Sequence, residues 1–256
     1  MMRKPIRLLA IGNSFSDDAF YYLHDLAAAD GVELTAVNLY IGGCNLETHW
    51  NNACTDDSAY LYMLNGVSTG RYVSIRQALE EGNWDYIMTQ QASHDSGLEE
   101  TYFPYLSLLT DYVRRYCPDT QLLLHETWAY ELDSEHSAFS RYHCDQTEMY
   151  RMLSDCYHHA SAKLNLPLIP SGEVIQQLRE IHPFRYARGE RSLCRDGYHM
   201  DLVYGRYLVA AVVYAFLTGR DIRGNNFVPP NGKSEVLDVI KNCITMILQQ
   251  TNEVDA

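Results

Sequence analysis

At 256 residues the chain is long enough to bury one sizeable core, and no stretch rich in Pro, Gly or Ser divides it, so a single domain over 1–256 is expected. Hydrophobic residues at 46% against 21% charged exclude long disorder. A formal net charge of -13 argues against nucleic acid as a partner, because backbone binding needs Lys and Arg to neutralise phosphates, and it disfavours polyanionic substrates unless a local basic patch overrides it.

The first apolar run, Ile6 to Ile11, reads as a buried strand and is too short to span a membrane. Arriving so early, it leaves no room for a signal peptide, so the chain as written is cytoplasmic, or exported if a leader has been removed. Gly12-Asn13-Ser14-Phe15-Ser16 follows at once, where a strand hands over to a helix capped by Asp17 or Asp18 and running to about Ala29. Further strands are expected at 33–39, 84–89, 121–126 and 166–169. Helices are expected at 74–81, 105–116, 146–164, 172–181, 201–217 and 234–249. This alternation predicts a three-layer α/β/α sandwich around a five-stranded parallel sheet, flavodoxin-like, in the order 2-1-3-4-5. Two connections, 40–73 and 127–145, are unusually long and follow strand ends. Both therefore hang over the carboxyl edge of the sheet, where open α/β folds bind ligands, and are expected to wall a substrate pocket. They carry Trp50, Tyr60, Tyr62, Trp128 and Tyr130, either as a stacking surface for sugar rings or as ordinary loop packing.

Ser14 sits where the first strand ends, and Asp196-Gly197-Tyr198-His199 lies near the start of the last quarter. A neutral hydroxyl is a poor nucleophile at pH 7 and needs a base. His199 is placed to accept the Ser14 proton, and Asp196, three residues earlier, to hold the other ring nitrogen. The backbone amide of Ser14 is a candidate donor to an oxyanion. Taken singly, Gly-Asn-Ser is also a helix cap, Asp196 can cap the following helix, and His199 can be an ordinary satisfied histidine. In this order on an alternating α/β pattern, they point together to a serine hydrolase.

Other polar clusters read differently. His158 and His159 lie on a predicted helix, where adjacent residues point apart. His125 and Glu126, with Asp133, Glu135 and His136 nearby, form a conceivable metal cluster without the spacing of regular sites, so neither metal nor cofactor is expected. Seven cysteines show no C-x-x-C spacing and read as free thiols, with a Cys44 to Cys54 bridge the alternative in an exported protein. The Gly-x-Ser-x-Gly elbow of α/β-hydrolases is absent around Ser14.

Ile-Gly-Asn-Ser14-Phe-Ser and Asp196-Gly-Tyr-His199 resemble the first and fifth blocks of the SGNH or GDSL hydrolases, with likeness in order and spacing from about Ile6 to Leu217. More closely, the chain resembles the bacterial branch gathered as DUF4886. The resemblance implies the SGNH hydrolase fold, Ser14, Asp196 and His199 as catalytic residues, and an oxyanion hole. For that hole it implies a glycine amide from Ile41-Gly42-Gly43-Cys44-Asn45, assigned to Gly43, beside the Ser14 amide. Block III of the family carries Gly-x-Asn, whereas this chain has Thr89-Gln90-Gln91-Ala92-Ser93-His94, so Gln91 is placed ahead of Gln90 and His94 as the side-chain donor. The implied activity is removal of a small acyl group, acetyl foremost, from a carbohydrate or similar alcohol, so the partner is a small-molecule or glycan ester and not a membrane. The alternative is a glycan-binding member without catalysis, favoured by the altered block III. A flavodoxin-like phosphate binder is a third reading, opposed by the lack of Lys or Arg in the 12–18 loop.

Overall fold

Leu8, Leu9, Ala10 and Ile11 are consecutive and all buried, which a strand achieves only where both faces of its sheet are covered. In the computed structural model, which describes residues 4–254, they lie at the centre of β1 (Ile6–Gly12). A tight handover leads to α1 (Ser14–Phe20) and α2 (Leu23–Ala29), and the chain returns as β2 (Leu34–Tyr40), parallel to β1 with Gly12 opposite Tyr40. Then come α3 (Leu46–Thr55), the antiparallel pair β3 (Tyr60–Leu64) and β4 (Val67–Val73), and α4 (Ile75–Glu81). Next are β5 (Tyr86–Thr89), α5 (Tyr105–Tyr116), β6 (Gln121–His125), α6 (Gln146–Leu164), β7 (Leu168–Ile169) and α7 (Ser171–Leu178). The chain closes with α8 (Tyr204–Thr218) and α9 (Ser234–Val254).

The sheet runs β4-β3-β2-β1-β5-β6-β7. Its five parallel strands keep the expected 2-1-3-4-5 order, but the sheet is mixed and seven-stranded, because part of the 40–73 connection folds into a hairpin on the β2 edge. Asn65 and Gly66 join the hairpin, both at positive φ (49° and 75°), as a two-residue type I′ turn demands. On one face α1, α2, α7, α8 and α9 pack together, and α3, α4 and α5 form a second cluster. α8 is buried almost all round and forms the spine of the first cluster. No helix among the described residues is long and apolar enough to cross a membrane.

Local chemistry explains most boundaries. Ser74 caps α4 through a reciprocal bond with Gln77, as expected for a helix beginning there. The expected cap of α1 at Asp17 or Asp18 is corrected: the cap is Asn13, whose Oδ1 accepts from Phe15 N (3.0 Å) while Ser16 Oγ accepts from Asn13 N (2.9 Å). The helix therefore starts at Ser14, and α2 follows as a separate helix. A Cβ on Gly12 would lie 2.0 Å from Ser16 Oγ, so this strand-to-helix turn closes only around glycine.

Candidate active site

Because β1, β2, β5 and β6 are parallel and in register, their carboxyl ends deliver four segments to one edge of the sheet. Ser14 comes from the first, the 41–45 turn from the second, 90–94 from the third and 126–136 from the fourth. The 41–45 turn is tied to the serine helix by Asn13 Nδ2, which donates to Cys44 O (3.0 Å).

The structure brings Ser14, His199 and Asp196 into one chain of hydrogen bonds. Ser14 Oγ lies 2.9 Å from His199 Nε2, and His199 Nδ1 lies 2.7 Å from Asp196 Oδ2. A ring nitrogen against a carboxylate carries the proton, so Nε2 presents its lone pair to the Ser14 hydroxyl. Asp196 also accepts the amides of His199 (2.8 Å) and Tyr198 (3.3 Å), which close the Asp-x-x-His segment into a turn. Burial works to raise the Asp196 carboxyl, but the bonds from the His199 ring and these amides outweigh it and hold the group below its ordinary range.

The turn is gripped from the 127–136 side by Trp128 Nε1, which donates to Tyr198 O (2.7 Å), and by Glu131 N, which donates to Gly197 O (2.7 Å). The Trp128 ring stacks on Phe15 at 4.1 Å, and Phe15 in turn meets the His199 ring edge-on at 6.0 Å. Beside the base, Tyr198 lies 4.2 Å from His199 and 4.8 Å from the His136 ring. Burial first, then the neighbouring charges of His94, His199 and Arg141, push the His136 imidazole below its ordinary pKa.

The oxyanion assignments divide. The amides of Ser14 and Gly43 have no hydrogen-bond acceptor among the described residues, and Gly43 is exposed at positive φ (64°). Gln91 needs correction. Its Oε1 accepts from Leu46 N (3.0 Å) and Ala92 N (2.9 Å), and its Nε2 donates to Thr101 O (3.0 Å) and Thr101 Oγ1 (2.9 Å). Fully buried, it fastens three loops together and keeps no amide hydrogen for a substrate. Gln90 sends one Nε2 hydrogen to Asn13 Oδ1 (2.9 Å) and accepts from His125 Nδ1 (3.2 Å). His94 leans on Asp95 at 3.4 Å.

For the five loop aromatics the structure takes the packing alternative. Tyr60, Trp128 and Tyr130 are fully buried, Trp50 packs edge-on against Tyr112, and Tyr62 lies under the Arg71 guanidinium. Packing has claimed all five, and Tyr198 and His136 border the base instead. His125 is held between Gln90 and Ser171 Oγ (2.8 Å), Glu126 Oε2 accepts from Glu173 N (2.9 Å), and no three His, Cys, Asp or Glu converge as metal ligands do among the described residues. All seven cysteines are free, Cys44 and Cys54 included. Sequence reasoning named Trp128 only as a loop aromatic and missed Glu131 altogether, and the length of the 127–145 connection was the signal for both.

Compared with known proteins, residues 7–246 match the model of DUF4886, a domain of unknown function. A DUF4886 family protein from Bacteroides uniformis ATCC 8492 is 36% identical with a TM-score of 0.89, covering 96% of this chain and 95% of its own. A candidate SGNH hydrolase from Slackia heliotrinireducens shares 20% identity at a TM-score of 0.55, over 84% of this chain and 100% of its own. A variant of Axe2, an acetyl-xylooligosaccharide esterase from Geobacillus, shares 14% identity at 0.51, over 89% and 98%. None of the curated proteins matches. With the α/β architecture of the SGNH hydrolases and a family match over nearly all of its length, the chain belongs to the DUF4886 family.

Proposed function

We propose that the protein is a serine esterase that removes a small acyl group, acetyl foremost, from a carbohydrate or similar alcohol through an acyl-Ser14 intermediate. One observation carries this reading: the unbroken chain from Ser14 Oγ to His199 to Asp196 at 2.9 and 2.7 Å. Ser14 Oγ attacks the ester carbonyl carbon as His199 Nε2 takes its proton, and Asp196 stabilises the imidazolium. The oxyanion meets the amides of Ser14 and Gly43, with the second Nε2 hydrogen of Gln90 in the role first assigned to Gln91. As the carbon–oxygen bond to the alcohol breaks, His199 returns the proton to the leaving oxygen. Water then attacks the acyl-serine by the same proton path and releases the carboxylic acid.

A short acyl group is supported by the bulk beside Ser14, whose neighbour Phe15 stacks on Trp128 at 4.1 Å and meets the His199 ring at 6.0 Å. An acylated sugar is supported by the fold shared with Axe2. The non-catalytic glycan-binding reading is favoured by one feature, the fully engaged Gln91 amide.

The test is hydrolysis of p-nitrophenyl acetate by the protein and its Ser14→Ala variant, with intact mass spectrometry after a fluorophosphonate probe. Turnover and a single adduct, both lost in the variant by on the order of 10⁴-fold or more, are expected. Binding of acylated oligosaccharides with neither turnover nor adduct would favour the non-catalytic reading.

A further inference from the structure

We propose that Asp18 is a positioning residue that docks the turn carrying Asp196 and His199 onto the helix carrying Ser14. Ser14 and Asp18 lie four residues apart on α1, one helical turn, and so face the same way. Ser14 meets the catalytic turn at the His199 ring, and Asp18 meets its far end. Asp18 Oδ2 accepts from Met200 N (2.8 Å), the amide directly after His199. Asp18 Oδ1 accepts from Arg195 Nη1 (2.9 Å), the residue directly before Asp196, and Arg195 Nη1 also donates to Met200 O. Arg195 N donates to His199 O (2.9 Å), so the base of the turn is closed by backbone and by guanidinium together. Residues at both ends of the Asp196–His199 segment therefore converge on one carboxylate.

That carboxylate is completely buried. A buried charge is tolerated only when it is paired and hydrogen-bonded, and here a second arginine completes the set: Arg206 Nε on α8 donates to Asp18 Oδ1 (2.8 Å). The charged groups around it are Arg195 on the turn, Arg206 on α8 and Asp17 on α1, with the Tyr40 hydroxyl at the end of β2 close by. Ion pairing alone would need only the arginines. The bond to Met200 N is what specifies register, because it fixes the backbone one residue from His199 relative to the helix that presents Ser14. The contact between Ser14 and His199 joins residues 185 apart in the chain. The side chain that sets their distance is one helical turn from the nucleophile.

The clamp rests on the esterase reading for its consequence, so one readout does not require turnover. Wild type, Asp18→Asn and Arg195→Gln are compared by the ¹H–¹⁵N resonance of His199 Nδ1–H, and by kcat and KM on p-nitrophenyl acetate per fluorophosphonate-titrated site. Displacing the base should lower kcat on the order of a hundredfold for Asp18→Asn and about tenfold for Arg195→Gln, because small misplacements of reacting groups are costly. KM should change by less than about threefold, and the Nδ1 proton should move upfield or broaden as its bond to Asp196 loosens. If Asp18→Asn does not fold, Arg195→Gln decides, since that side chain is 30% exposed. A folded Arg195→Gln protein with unchanged kcat and an unchanged His199 resonance overturns the clamp and leaves the esterase reading standing. A wild type without turnover or adduct, whose His199 resonance nevertheless shifts in the variants, upholds the clamp and overturns the esterase.

Discussion

The connections after β2 and after β6 hang from the same edge of the sheet and are both rich in aromatic residues, yet the first becomes a helix and a hairpin, whereas the second stays irregular until a short 3-10 helix at Ser137–Tyr142. Residues 40–73 hold their own instructions. Asn45 caps α3 by accepting from Thr48 N (3.0 Å), and Asn65-Gly66 turns one strand back onto the next. Residues 127–131 hold neither a cap nor a hairpin turn, and much of their hydrogen bonding comes from elsewhere. Glu131 N donates to Gly197 O, Tyr130 N to Met149 Sδ (3.3 Å), and Gln146 Nε2 to Tyr130 O (2.9 Å). A buried segment without ladders must borrow its hydrogen bonds, and the lenders here are the Asp196–His199 turn and α6. The irregular connection is built into the site along residues 127–131, whereas the regular one reaches it only through the 41–45 turn and otherwise extends the scaffold.

Three substitutions sharpen this contrast. The largest effect on turnover is expected for Trp128→Phe, which keeps an aromatic ring for Phe15 and removes the donor to Tyr198 O: kcat should fall about tenfold with the fold intact by circular dichroism. Unchanged kcat would mean that the irregular connection does not support the base. Gly66→Ala should do the opposite. Its Cβ would meet Tyr21 backbone atoms at 3.0 Å from a positive φ, costing about 2 kcal/mol of stability in urea unfolding while leaving kcat within about twofold. A large loss of turnover would tie the hairpin to the site after all.

The last substitution concerns Glu126, at the start of the irregular connection. Burial pushes its carboxyl up to about 8, against which the amides of Glu173 and Gly172 work only in part. A carboxyl raised in the folded state contributes stability that is full below its unfolded pKa and is lost as pH climbs through about 8. Thermal unfolding should therefore show the protein about 2 kcal/mol less stable at pH 9 than at pH 6 from this group. Glu126→Gln, which cannot ionise, should flatten that slope. An equally steep slope in the variant would place the titration elsewhere.

Much of the scaffold was legible because its signals are local. The boundaries of α5 and α6 fall at the residues where helical periodicity starts and stops, and Ser74 announces α4 through a bond three residues long. The hairpin was equally legible in Leu64-Asn65-Gly66-Val67, but a long connection read as a loop hid it. Within the site, Ser14 and the Asp196–His199 pair stood out because each motif fits in a short window. The roles of Gln91 and Asp18 did not. Two adjacent glutamines look alike in a sequence, and which one faces Asn13 is decided by Leu46, Thr101 and His125, residues from other elements. Asp18 looked like a helix cap until Asn13 took that place and Arg195, Arg206 and Met200 surrounded the carboxylate.

The sequence by itself determined the alternation of strands and helices, the parallel core of the sheet, and which serine, histidine and aspartate meet. Hydrophobic period, caps and short motifs act over a few residues and need no partner from afar. Only the tertiary structure decided which polar side chains hold the Asp196–His199 turn and which aromatics are buried. Those outcomes depend on contacts between residues as far as 188 positions apart, where desolvation and hydrogen-bond satisfaction are set by whatever the fold brings alongside.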